Sequence, residues 1–126
     1  MSDAQRIEEN VYSNVKIFLS TDTMEGVFGS GKWKLLDAVR RTGSLHEAAQ
    51  VLGRSYRKAW GDIQRAEKGL GRRLVIRTRG GAHGGTTRLT EYGERLLDAW
   101  DRHWTQVTEQ VRVSFDRHLR DLFDSD

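Results

Sequence analysis

Between Arg54 and Arg79 this 126-residue chain holds nine Lys or Arg against two acids, Asp62 and Glu67. The other 100 residues carry 12 basic and 16 acidic groups, so a formal net charge of +3 resolves into +7 in the centre and −4 around it. Guanidinium and ammonium groups at that density bind anions. They donate charge-assisted hydrogen bonds to phosphate or carboxylate oxygens, and guanidinium also pairs with two acceptors on a guanine edge. A basic centre in an acidic frame is the electrostatic footprint of a polyanion partner. By itself it fits a solvated charged surface equally well, so the elements that carry these residues must decide.

Other chemistries find no support. Gly26-Val27-Phe28-Gly29-Ser30-Gly31-Lys32 approaches a phosphate-binding loop, but Trp33 stands where a Ser or Thr hydroxyl would hold magnesium. His46, His83, His103 and His118 share no metal-ligand spacing and read as surface histidines. Cysteine is absent, which removes disulfides and thiolate ligands. Asp98 and Asp101 sit beside Arg95 and Arg102 and read as a solvated helix face. The expectation is therefore a chain with no catalytic residue, no metal and no cofactor.

The N-terminal MSDAQRIEEN has no apolar core for a secretory signal, and no run of eighteen apolar residues offers a membrane span. A cytoplasmic location is expected. Proline is absent while glycine occurs 13 times, so glycine must make the sharp turns. Residues 1–13 read as a tail. Val15, Ile17 and Leu19 alternate with polar or outward positions and predict a strand, and the glycines of 21–31 predict a turn or hairpin. Ser30 is placed to cap a helix running to about Arg41, with Trp33, Leu35, Leu36 and Val39 inward and Thr42-Gly43 as its stop. Ser44-Leu45-His46-Glu47 is a capping box opening a short helix that buries Leu45, Ala48, Ala49 and Leu52 and stops at Gly53. Ser55 then caps a third helix with Tyr56, Ala59, Trp60, Ile63 and Ala66 at helical spacing, closed by Gly69 and Gly71.

Leu74 to Thr78 predicts a strand, residues 79–85 a glycine-rich tip, and Thr86 to Leu89 the returning strand. Thr90 caps a last helix whose apolar positions, Leu96, Leu97, Trp100, Trp104, Val107, Val111, Phe115, Leu119 and Leu122, persist for about seven turns, more than a small domain covers from one side. The fold class is mainly α with a small β wing: a winged helix-turn-helix over residues 14–89, followed over 90–126 by a long dimerisation helix.

The basic cluster coincides with the second helix of the turn and with the wing, and this coincidence favours double-stranded DNA as the partner. Ser55, Tyr56, Arg57, Lys58, Gly61 and Arg65 lie on or beside the DNA-facing side of the third helix, with Arg57 the best placed to read a base. Tyr56 is open between packing on the domain and reaching a phosphate or thymine methyl. Arg54, Arg72 and Arg73 suit phosphates, and Arg79 and His83 at the wing suit phosphate or minor groove. Leu97, Trp100, Trp104, Val107 and Val111 are the candidate homodimer surface, although both tryptophans can instead pack on their own domain. The rival reading is a winged-helix interaction module that pairs with another regulator without reading DNA.

Thr42-Gly43-Ser44 through Ala48-Ala49, Ser55-Tyr56-Arg57-Lys58-Ala59-Trp60, the Gly-Gly-x-x-Gly-Gly wing and Arg88-Leu89-Thr90 together resemble the N-terminal domain of ModE-type molybdate-responsive regulators. Ile63 to Arg77, with Glu67, Leu70-Gly71 and Leu74, also resembles the related LysR-type winged helix. The resemblance covers roughly residues 14–100. It implies a dimeric bacterial transcription regulator whose last helix helps pair two protomers. ModE-type members that sense molybdate carry further C-terminal oxyanion-binding domains, and the chain ends at Asp126, so no molybdate is expected here.

Overall fold

The computed structural model describes residues 10–79 and 85–124, and the chain divides into two units. Residues 17–102 form the first. The described residues up to Lys16, with His103 onward, form the second.

The first unit opens with a short hairpin, β1 (Phe18–Leu19) against β2 (Phe28–Gly29), antiparallel with Phe18 opposite Gly29. The alternation from Val15 predicts a longer strand. Only two residues pair because β2 itself is two residues long, and Val15 is exposed. Gly26, at φ 72°, makes the turn in the left-handed region where a side chain is strained. The chain passes straight from β2 into α1 (Ser30–Thr42), so the capping position falls on Gly29, which makes no side-chain cap bond. Ser30 is the helix's first residue and not its cap. The candidate phosphate loop is thus a turn, a strand end and a helix start.

Gly43 ends α1 in the left-handed conformation at φ 74°. Ser44 Oγ then accepts the Glu47 N–H at 3.1 Å and opens α2 (Leu45–Val51). The return bond of the expected capping box is made by another residue: the Ser44 N–H donates to Thr42 Oγ1 at 3.2 Å. Gly53, at φ 67°, makes the tight turn, and Ser55 caps α3 (Tyr56–Leu70) by accepting the Lys58 N–H at 3.1 Å.

Ala48, Ala49, Ala59 and Ala66 are all buried, and such small side chains let helix backbones approach closely. Gly71 ends α3 at φ 71°, whereas Gly69 lies inside the helix. Gly69 has a packing reason. A Cβ there would stand 2.3 Å from Cγ1 of Val27, so the hairpin sits directly on α3.

The loop after α3 is tied by Glu67, whose carboxylate accepts the N–H groups of Leu74 at 2.7 Å and Val75 at 3.3 Å. β3 (Val75–Thr78) and β4 (Thr86–Leu89) pair antiparallel, Val75 opposite Leu89 and Thr78 opposite Thr86. The Thr87 N–H donates to the Gly43 carbonyl at 2.9 Å, which anchors this wing to the α1–α2 turn. Thr90 caps α4 (Glu91–His118) by accepting the Gly93 N–H at 2.9 Å.

Within this unit Leu97 and Trp100 of α4 are 1% and 4% exposed. Trp100 meets Phe28 edge to face at 5.3 Å, and the Trp33 indole N–H donates to the Leu97 carbonyl at 3.0 Å. Both residues are thus spent in their own domain's core and are not open to a partner.

In the second unit α4 ends at His118 and a 3-10 turn, Arg120–Leu122, follows, so the helix stops short of the expected Leu122. Phe115 is buried and stacks on Phe123 at 6.0 Å.

Among the described residues of the first unit one charged side chain is buried. Asp37, 6% exposed, is ion-paired to Arg40 at 2.9 Å and to Arg41. Arg40 also reaches Glu94 on α4 at 3.3 Å. Burial alone would raise the Asp37 pKa, but hydrogen bonds from Arg41 and Arg40, with their charges, outweigh it and hold the carboxyl below its ordinary range. A depressed folded pKa gives stability that is full above the unfolded pKa, about 3.9, and is lost as pH falls through the folded value. Asp37→Asn should therefore make the acid limb of the stability-pH curve shallower. Chemical denaturation between about pH 5 and 2 reads this, and an unchanged slope would show that Asp37 carries no such linkage.

Candidate nucleic-acid interface

α3 has two faces. Ala59, Ile63 and Ala66 are buried at 0%, 2% and 1%, while Ser55, Arg57, Lys58, Gly61 and Arg65 are exposed. Trp60 lies between, half-buried and packed on the core. Arg57 makes no hydrogen bond or ion pair with any described residue, and Gly61 has open space where a Cβ would stand. A free guanidinium beside a bare backbone is what close approach to a groove edge requires.

The other basic residues are partly engaged inside the fold. Arg54 donates to the Gly31 carbonyl at 3.2 Å and lies 3.5 Å from Asp62, tying α3 to the start of α1. Arg65 donates to the Glu25 carbonyl at 2.6 Å and holds the hairpin. Lys58 pairs with Asp62 at 3.6 Å. Arg72 lies over the Tyr92 ring at 5.0 Å, and Arg73 is 3.8 Å from Glu67 and donates to the Val75 carbonyl at 3.5 Å.

Sequence reading missed Lys32. Its ammonium donates to the Gly26 carbonyl at 3.4 Å. Burial lowers its pKa, and the positive neighbours Arg65, Lys58 and Arg54 push the same way against the opposing pull of Asp62. Lys32 is separated from the basic stretch by more than twenty residues, so only the docking of α1 on α3 reveals it.

On the wing side, Tyr56 stacks on His46 at 4.3 Å and 17°, and its hydroxyl accepts a hydrogen bond from Arg77. Of the roles left open for Tyr56, the structure shows packing on its own domain. Arg77 also lies 4.6 Å over the Trp60 ring. His46 and Arg77 were not among the candidate residues. Arg77 was visible only as one charge of the cluster, and His46 carried no signal, being at the start of a different helix.

A recess of about 580 Å³ lies between the starts of α2 and α3 and the two wing strands, lined in part by Ser44, His46, Tyr56, Arg77, Arg79 and Thr86. Arg79 is exposed there and makes no hydrogen bond or ion pair with any described residue, while His83 lies outside the described residues. Among the described residues no group of three His, Asp or Glu could hold a metal ion. The arrangement offers exposed cationic donors on α3 and on the wing, which can bind a polyanion.

Residues 31–94, half the chain, match the family described as "Bacterial regulatory helix-turn-helix protein, lysR family". The chain is 39% identical over 80 residues to the molybdenum transport protein ModE of Azotobacter vinelandii, covering 63% of this chain and 30% of the relative. It is 36% identical over 89 residues to the transcriptional regulator ModE of Haemophilus influenzae, covering 70% and 35%. It is also 37% identical over 67 residues to the DNA-binding transcriptional dual regulator ModE of Escherichia coli K12, covering 53% and 26%. The chain thus spans about a third of the length of these curated relatives, or less. Among solved structures, ArgP from Mycobacterium tuberculosis superposes with a TM-score of 0.51 at 25% identity, over 67% of this chain and 29% of that one. The match falls on α1 to the start of α4, the segment whose outward face carries the exposed Arg57. The chain belongs to the lysR family of bacterial regulatory helix-turn-helix proteins, and its fold is a winged helix-turn-helix.

Proposed function

We propose that the protein binds specific duplex DNA as a homodimer in the cytoplasm, with α3 entering the major groove from Ser55 and the wing lying on the backbone or minor groove. The observation that carries this is the outward face of α3, where Arg57 has no described partner, Gly61 is open, and the opposite face is sealed into the core. Arg57 reads a base. Lys58, Arg72, Arg73 and Arg79 meet phosphates, and the positive neighbourhood of Lys32, Arg54 and Arg65 adds attraction beside the helix. Ser55 contributes through its cap, because it fixes the first turn of the helix that approaches DNA.

The homodimer reading rests on the second unit. Trp104 is 42% exposed there, and a groove of about 590 Å³ is lined by His103, Val107, Gln110, Val111 and Phe115. An exposed indole beside two half-buried valines is apolar surface that a second copy would cover.

Binding to duplexes selected from random DNA tests the central reading. Arg57→Ala should cost ~1–3 kcal/mol on the selected site and narrow the ratio of specific to random affinity, without lowering thermal stability. Arg54→Ala should instead lower stability by ~1 kcal/mol, since it loses a hydrogen bond inside the fold. An unchanged specificity ratio in Arg57→Ala would remove it as the reader, and no enrichment of any duplex would favour the protein-interaction reading. Sedimentation should show a dimer at tens of micromolar (order of magnitude for modest interfaces) that Trp104→Ala weakens. A wild-type monomer there would overturn the homodimer.

A further inference from the structure

We propose that Tyr56 and Arg77 form a clamp that sets the wing against the first turn of α3, making both of them positioning residues for DNA binding. This rests on the DNA-binding reading above and adds a role that charge alone does not give Arg77. Tyr56 and Trp60 are four apart on α3 and so share one side of the helix. Arg77 is two residues beyond the buried Val75 on β3 and points to the same face of that strand. The two faces meet. The Arg77 guanidinium lies 4.6 Å over the Trp60 ring and 5.8 Å from the Tyr56 ring centre while donating to the Tyr56 hydroxyl. His46, from α2, stacks on the same Tyr56 ring. Two side chains of α3, Trp60 and a Tyr56 backed by His46 of α2, therefore hold one cation of β3.

The position of this contact gives it consequence. Main-chain bonds tie the wing at two levels, Thr90 N–H to the Leu74 carbonyl at its base and Thr87 N–H, opposite Arg77, to the Gly43 carbonyl, each at 2.9 Å. From Thr78 to the tip and back through Thr86, no described residue hydrogen-bonds to α2 or α3. Arg77 is thus the last side-chain tie before Arg79. A two-stranded ribbon twists easily, so loosening this tie lets Arg79 move relative to Arg57 and blurs the spacing at which groove and backbone are met together. A planar guanidinium can stack flat on an indole while bonding a phenol, a geometry the compact ammonium of lysine does not reproduce.

Tyr56→Phe and Arg77→Lys keep the aromatic ring and the charge respectively, so both proteins should fold. In the free proteins, hydrogen exchange of the β3 and β4 amides should quicken about 3- to 10-fold, the loss of one hydrogen bond, while amides near Leu97 and Trp100 stay unchanged. On the duplex selected by the wild type, each variant should bind ~3- to 10-fold more weakly with an unaltered salt dependence, because no phosphate contact is lost. The Tyr56→Phe penalty should shrink towards nothing in an Arg79→Ala background, since the clamp acts through the wing. Unchanged wing exchange in both variants overturns the clamp, whatever DNA does. Quicker exchange with full DNA affinity overturns its role in binding. Full affinity in Arg77→Lys with a reduced salt slope in Arg77→Ala would make Arg77 an ordinary phosphate contact. Failure of the wild type to bind any duplex would count against the DNA reading, and the exchange result would still decide the clamp.

Discussion

The close approach of α3 to its neighbours is the constraint on which the rest of this domain depends. Ala48 and Ala49 on α2 and Ala59 and Ala66 on α3 are buried, and Gly69 beneath Val27 leaves no room for a Cβ. Buried positions packed at that density tolerate added volume poorly, because neighbours must leave their rotamers to admit it. The packing fixes the rotation of α3 about its own axis. Once Ala59, Ile63 and Ala66 are inward, the 3.6-residue repeat sends Arg57, Lys58 and Gly61 outward. The surface proposed to face DNA is a by-product of the core.

The basic residues then divide by what the fold asks of them. Arg54 and Arg65 are cations with structural work at carbonyl oxygens of the α1 start and the hairpin. Arg77 is held by aromatic rings and a phenol. Arg57 and Arg79 keep their donors free of described partners. This division matters because phosphate contacts position the protein on the duplex while groups reaching base edges read sequence directly. A count of +7 over the segment does not make that distinction.

Much of the architecture was legible in the sequence because its signals are local. Ser44, Ser55 and Thr90 each precede a helix and each accepts the N–H three residues on, and Gly43, Gly53 and Gly71 all adopt positive φ where a stop or turn was expected. What escaped was tertiary. Ser30 lost the cap to Gly29 because a two-residue strand, paired with Phe18–Leu19, runs directly into α1. Gly69 read as a helix stop, but its reason is Val27, more than forty residues earlier. Leu97 and Trp100 carried the same periodic signal as Trp104, Val107 and Val111, and only docking on Phe28 and Trp33 separates them. At the site, exposed Arg57 could be read from helical phase. The roles of His46, Lys32 and Arg77 could not, since each arises from side chains meeting across elements.

The central claim is that Arg57 meets a guanine edge in the major groove, and base-analogue substitution in the duplex tests it most directly. Replacing guanine by 7-deazaguanine removes the N7 acceptor and leaves Watson–Crick pairing and phosphates in place. At one guanine per half-site, the substitution should weaken wild-type binding by about tenfold, as expected for one lost bond of a bidentate pair, and leave Arg57→Ala unaffected. An equal loss in both proteins, or no loss at any guanine of the selected site, would contradict the account.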